Sequence, residues 1–184
     1  MFRALNQFQY KVRIHVFWTD IKNGTSFIFT IPYTIGDKAI GRQRSTEEDI
    51  NGADLKGIRI LLVEDNPFNQ MVAIDTLNDL IPELVIDVAE NGLIAIEKIT
   101  AANYDVLLMD IQMPEMDGFE ATKRIREMNT EKRATPIMAM TANVTPEEVS
   151  KCFESGMDAY ISKPVETQDL LNKLGKLTIL KSKI

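Results

Sequence analysis

The chain has 184 residues, 45% hydrophobic and 26% charged, with a formal charge of −6, which suits one well-packed domain with additions. No apolar run approaches the roughly 20 residues of a membrane helix and the N-terminus lacks the pattern of a signal peptide. A single cysteine (Cys152) excludes an internal disulfide, and with a single histidine (His15) it argues against a zinc site and fits a reducing, cytoplasmic compartment.

Charge is unevenly spread. Residues 1–56 hold eight basic and six acidic side chains, whereas residues 57–184 hold 13 basic and 21 acidic. An acidic domain without a basic stripe argues against direct nucleic-acid binding. Several of its carboxylates should need a cation.

Taken in order, residues 1–32 read as a β-hairpin. Ile14, Val16 and Trp18 alternate with His15, Phe17 and Thr19, and Phe27, Phe29 and Ile31 alternate with Ile28 and Thr30. Between them, Asn23-Gly24 is a strong hairpin signal. A lone hairpin is marginal in water, so this piece needs a partner or is a remnant of something larger. The ending Gly24-Thr25-Ser26-Phe27-Ile28-Phe29-Thr30-Ile31-Pro32 resembles the closing strand of the ATP-binding domain of sensor histidine kinases. The nucleotide-holding boxes of that family are absent and His15 sits in a predicted strand, so no kinase activity is expected of this chain. Residues 33–56 turn polar and glycine-punctuated, without apolar period, and read as a linker.

From Gly57 strand and helix alternate. Ile58–Val63 is a strand ending at the acidic pair Glu64-Asp65, and Asn66-Pro67 opens a helix as cap and first-turn proline. Leu84–Val88 is the second strand, and Asn91-Gly92 leads into a helix bearing Leu93, Ile94, Ile96 and Ile99. Val106–Met109 is a continuous apolar run, the mark of a strand buried on both faces, and ends at the carboxylate Asp110. Phe119–Met128 is the third helix and Pro136–Met140 the fourth strand, ending at Thr141. Thr145-Pro146-Glu147-Glu148 has the form of a capping box opening a helix that Gly156 stops. Asp158–Ile161 is a short fifth strand running into Ser162-Lys163-Pro164, and Asp169–Leu177 the last helix. These units, with short connections, predict a doubly wound α/β domain over residues 57–180 with helices on both faces of a parallel sheet.

Right-handed crossovers bring all the strand ends to one edge, where ligands of such sheets bind. Four of them carry groups suited to a phosphoryl group: Glu64 and Asp65, Asp110, Thr141, and Lys163. Each alone has an ordinary explanation: solvated loop acids, a turn cap, a strand-end threonine, a surface lysine. Together they define a candidate pocket. Three clustered carboxylates repel, and Mg2+ relieves this through carboxylate, water and phosphate oxygens. Asp110 is then a candidate nucleophile forming an acyl phosphate, with Lys163 and Thr141 contacting the phosphoryl oxygens and the Gln112 backbone carbonyl a further metal ligand. Pro164 is a candidate cis proline aiming the lysine.

At these residues, "ILLVEDN", "DVLLMDIQMPEMDG", "MAMTA" and "DAYISKPV", the chain resembles receiver (response-regulator) domains. The resemblance implies a flavodoxin-like five-stranded sheet of order 2-1-3-4-5, Mg2+ dependence, and a phosphohistidine donor on a histidine kinase or histidine phosphotransfer protein. It also implies a switch in which Thr141 moves toward the phosphate while the aromatic Tyr160 turns inward. "VEDNPFNQ", with Asn69, is more similar to receivers of hybrid histidine kinases, so the chain reads as the C-terminal part of such a kinase. Two other readings stay open: a protein-docking module of receiver fold without phosphate turnover, and an aspartate-nucleophile phosphatase. The phosphatase expects an acid two residues past the nucleophile, where Gln112 stands. Only Thr178 to Ile184 follow the last predicted helix, so the signal is expected to leave by protein contact or onward phosphotransfer.

Overall fold

The computed structural model describes residues 49–178 and, ahead of them, the backbone of two short strands. Those strands, His15–Val16 and Phe27–Ile28, pair antiparallel with His15 opposite Ile28 and Val16 opposite Phe27. They belong to a compact unit, Met1–Glu47, separate from the unit Glu48–Ile184. The rest of the expected hairpin, including its Asn23-Gly24 turn, lies outside the described residues.

The second unit is built on five parallel strands: β1 (Arg59–Val63), β2 (Val85–Ala89), β3 (Val106–Asp110), β4 (Ile137–Thr141) and β5 (Ala159–Ser162). Their spatial order is 2-1-3-4-5, the order expected. Between and after them run α1 (Pro67–Leu80), α2 (Gly92–Ala101), α3 (Gly118–Arg126), α4 (Pro146–Ser155) and α5 (Thr167–Thr178).

Strand side chains alternate between faces, and the sheet therefore divides the interior in two. Leu61, Val63, Leu107, Met109, Ile137 and Ala139 pack on one side with Ala95 and Ile99 of α2, Ala121 and Ile125 of α3, and Cys152 of α4. Ile60, Leu62, Val106, Leu108, Met138 and Met140 pack on the other with Leu77 of α1 and Leu170, Leu171 and Leu174 of α5. Every residue of β3 and β4 is buried, which explains their unbroken apolar runs. Met109, Met116, Met138 and Met140 are core filler.

Local signals set the helix ends. The Asn66 side chain accepts from Phe68 and Asn69 N–H at 2.9 and 3.3 Å, ahead of Pro67. Asn91 accepts from Ile94 N–H and Asp117 from Glu120 N–H. Gly156 ends α4 with φ 99°, in the left-handed region that glycine adopts without strain.

The stretch read as linker differs in its last residues. Gly52–Leu55 forms a 3-10 turn with a capping box at Asn51, and Leu55 is fully buried beside α1 and α5. Ile50 N–H donates to Asn172 Oδ1 at 3.0 Å, and the Gln168 amide donates to Ile50 O at 3.0 Å. A Cβ on Gly175 would lie 2.0 Å from Ile50 Cδ1. The packed unit thus includes a strap ahead of Gly57. Its polar, aperiodic sequence hides this because two apolar residues, Ile50 and Leu55, make the anchor.

Candidate phosphoryl-transfer site

The carboxyl ends of β1, β3, β4 and β5 supply the site. Glu64 follows β1, its N–H donating to Ala89 O at 3.0 Å and its carbonyl accepting from the Gln70 amide at 2.7 Å. Asp110 closes β3 opposite Met140. Behind it Gly118 packs so closely that a Cβ there would lie 2.2 Å from Asp110 O. Only hydrogen fits that approach. Lys163 follows β5, and its N–H donates to Thr141 O at 2.7 Å, which ties the ends of β4 and β5 together. The Lys163–Pro164 peptide is cis.

One oxygen each of Glu64, Asp65 and Asp110 lies within 4.8 Å of the others. Glu64 and Asp110 are 1% and 9% exposed, and Asp65 is the most open of the three. Lys163 Nζ stands 2.6 Å from Glu64 Oε2 and 2.8 Å from Asp110 Oδ2. The remaining Glu64 oxygen, Oε1, accepts from Asn69 Nδ2 at 2.8 Å. The Gln112 backbone N–H donates to Asp110 Oδ1 at 3.4 Å. Thus the sequence-derived residues Glu64, Asp65, Asp110, Gln112 and Lys163 meet in one pocket.

Burial opposes ionisation of Glu64, but the Lys163 ammonium and the Asn69 amide outweigh it and hold its carboxyl below the usual range. For Asp110 burial prevails, with the neighbouring Glu64 charge adding to it and Lys163 only partly offsetting it, so its carboxyl lies above the usual range. Burial alone would lower Lys163, yet its two carboxylate partners raise it. One cation therefore serves two buried acids and leaves Asp65 beside them. An all-oxygen set of this kind, open on one side, fits a hard divalent ion that keeps several waters.

Thr141 is 2% exposed and is engaged elsewhere. Its hydroxyl lies 2.7 Å from Glu148 Oε1 on α4 and accepts from Asn143 N–H at 3.0 Å. Glu148 was expected to close a capping box at the start of α4. Only half of that box forms: Thr145 Oγ1 accepts from Glu148 N–H at 3.2 Å. Sequence spacing registered Glu148 as a helix signal and missed its tie to Thr141. Tyr160 is half-buried on β5, edge-on to Phe153 with ring centroids 6.2 Å apart, and Lys173 Nζ lies 5.1 Å from its ring centre.

The fold and this acid–lysine pocket define a doubly wound domain with a candidate site at the sheet's carboxyl edge. Residues 60–175 match the response regulator receiver domain family, and the chain belongs to that family. A two-component response regulator of Oryza sativa subsp. japonica is 44% identical over 117 residues, covering 62% of this chain and 90% of that protein. The sensor protein EvgS of Escherichia coli K12 is 33% identical over 154 residues, 84% of this chain. This chain spans only 12% of EvgS and 14% of a probable histidine kinase of Oryza sativa subsp. indica that it matches at 40% identity. Among solved structures, the receiver domain of a sensor histidine kinase from Pseudomonas aeruginosa PAO1 superposes with a TM-score of 0.61 at 35% identity. It covers 66% of this chain and 98% of that one, and holds a magnesium ion in its active-site cleft. Receiver domains of this kind occur in hybrid histidine kinases and in two-component response regulators. Among the described residues, no helix is long and apolar enough to cross a membrane.

Proposed function

We propose that this chain is a phosphorelay receiver that takes a phosphoryl group from a phosphohistidine onto Asp110. The observation that carries the reading is the convergence of Glu64, Asp65 and Asp110 with Lys163 in one pocket, the ammonium 2.6 and 2.8 Å from two of the acids. An Asp110 carboxylate oxygen attacks phosphorus, and an O–P bond forms as the P–N bond breaks. The electron pair stays on the imidazole nitrogen, which takes up a proton. Lys163 neutralises one phosphoryl oxygen, and the Thr141 hydroxyl donates to another. Glu64, Asp65, Asp110 and the Gln112 carbonyl would hold Mg2+, which supplies charge neutralisation when bound. Ordering of Thr141 on the phosphoryl group draws Tyr160 inward, a population shift between two packings.

The donor is a histidine kinase or histidine phosphotransfer protein, and the compartment is cytoplasmic. Residues 1–32 are the end of a kinase ATP-binding domain and 33–48 the linker to the receiver. The likeness to EvgS extends over 84% of the chain, more than residues 60–175 account for, and so reaches beyond the receiver.

The test is incubation with Mg2+ and a small phosphodonor, read by intact mass. Wild type gains one phosphate, EDTA prevents the gain, and Asp110→Asn gains none. A wild type that stays unlabelled while Mg2+ binds would instead favour a docking module.

A further inference from the structure

We propose that Glu148 is a positioning residue that restrains Thr141 in the resting chain, so that loading Asp110 requires this tie to break. The inference rests on the phosphoacceptor reading above and adds a residue to it.

A threonine hydroxyl has one proton to donate. Two acceptors lie within its reach, Glu148 Oε1 at 2.7 Å and Asn143 O at 3.1 Å, and the shorter bond to the carboxylate is the one we assign the proton to, while the oxygen accepts the Asn143 N–H at 3.0 Å. Thr141 cannot donate to a phosphoryl oxygen until it lets Glu148 go. The acceptor is a carboxylate, and bonds to charged acceptors are the stronger class. Thr141 is 2% exposed, so water does not compete freely for its hydroxyl.

Glu148 also has somewhere to go. It stands at the third position of α4, where a Thr-x-x-Glu spacing ordinarily sends the carboxylate back to the cap residue's own N–H. Here Thr145 makes its half of the box while the Glu148 carboxylate reaches Thr141. Release would let the box close, exchanging a strand-to-helix tie for a bond within the first turn of α4. The same helix carries Phe153, which packs edge-on against Tyr160. Loading the pocket and resetting the start of α4 become one event.

The experiment is a beryllofluoride titration of the full chain at saturating Mg2+, read by calorimetry. Glu148→Ala is expected to bind about tenfold tighter than wild type, and Glu148→Gln, whose amide oxygen still accepts, two- to threefold tighter. Glu147→Ala removes an adjacent exposed acid that has no tie to Thr141, and should stay within twofold. The Glu148→Ala gain should vanish in a Thr141→Val background and persist in Thr141→Ser. Equal gains from Glu147→Ala and Glu148→Ala would reduce the effect to lost negative charge and overturn the proposal. So would a gain that survives Thr141→Val, or no gain in either Glu148 variant. If Glu148→Ala frays α4 by circular dichroism, Glu148→Gln and the Thr141 pair decide the matter. Wild type that fails to take up beryllofluoride overturns the phosphoacceptor reading itself, whereas uptake by wild type with unchanged Glu148 variants overturns only the restraint.

Discussion

Replacing Arg126 with alanine is expected to destabilise the receiver unit by about 3 kcal/mol, although this residue lies outside the phosphoryl site. Its guanidinium joins three segments. Nε donates to Gly156 O at 2.8 Å, Nη1 to Arg133 O and Thr135 O at 2.6 and 2.8 Å, and Nη2 to Asp158 Oδ2 at 2.7 Å. The same Asp158 oxygen accepts the Ile137 N–H at 2.8 Å, so the fork fixes the end of α4 and the starts of β4 and β5 together. Bonds to charged groups contribute ~1.5–3 kcal/mol each, but they share one desolvation cost and do not add. Burial lowers the Arg126 pKa and Asp158 only partly restores it, in keeping with a guanidinium partly withdrawn from water. With the arginine side chain 23% exposed, breaking the set falls toward the ~3 kcal/mol end of buried-pair losses. Arg126→Lys keeps the charge but loses the planar fork, and should cost about half as much. Urea unfolding followed by circular dichroism measures both. Amide exchange at Ile137 should quicken in step. A loss below about 1 kcal/mol for Arg126→Ala would mark a screened surface pair and refute the reasoning.

Other outcomes follow from the same packing. Gly175→Ala removes a helix glycine, worth about 1 kcal/mol of propensity. It should stabilise a chain beginning at Gly57, but not the full chain, where the new methyl meets Ile50 Cδ1; equal gains would mean the strap is not seated on α5. Mg2+ at ten times its Kd should raise receiver stability by about 1.4 kcal/mol, seen as a higher melting temperature that EDTA reverses and Asp65→Asn abolishes. Asp87 is held below its usual range by the Arg59 guanidinium, 2.8 Å away, with the Tyr104 hydroxyl donating at 3.0 Å. A depressed carboxyl stabilises above its unfolded pKa of about 3.9, and the benefit fades as pH falls through the lower folded value. The stability gap between wild type and Asp87→Asn should therefore narrow from pH 5 toward pH 3, and a constant gap would contradict the assignment.

The succession of strands and helices and the residues of the pocket were legible because both are written in short local patterns, whereas the strand order came from the family resemblance those patterns carry. Apolar runs of four residues mark strands buried on two faces, and each ends at the residue it delivers to the edge, as Met109 does to Asp110 and Met140 to Thr141. Ties between elements far apart in sequence leave no such trace. Arg126 sits in a basic last turn that reads as a helix end, and nothing nearby announces Gly156 or Asp158. Arg59 looks like a solvated strand residue until β2 supplies Asp87. Asn69 marked a family likeness, but only the fold shows its amide on Glu64 Oε1. Glu148 was visible as a spacing, yet the spacing named a different partner. The strap at Ile50–Leu55 escaped because composition rather than its two anchoring side chains governed the reading of 33–56.

The central claim, that the carboxylate at position 110 carries the phosphoryl group, is tested most directly by trapping the acyl phosphate. Borohydride reduces such a bond and converts the aspartate to homoserine, which peptide mass mapping locates. After loading with Mg2+ and a phosphodonor, homoserine is expected at Asp110 alone, and not in protein loaded in EDTA. Homoserine at Glu64, Asp65 or elsewhere, or phosphate retained on a residue that borohydride leaves intact, would contradict it.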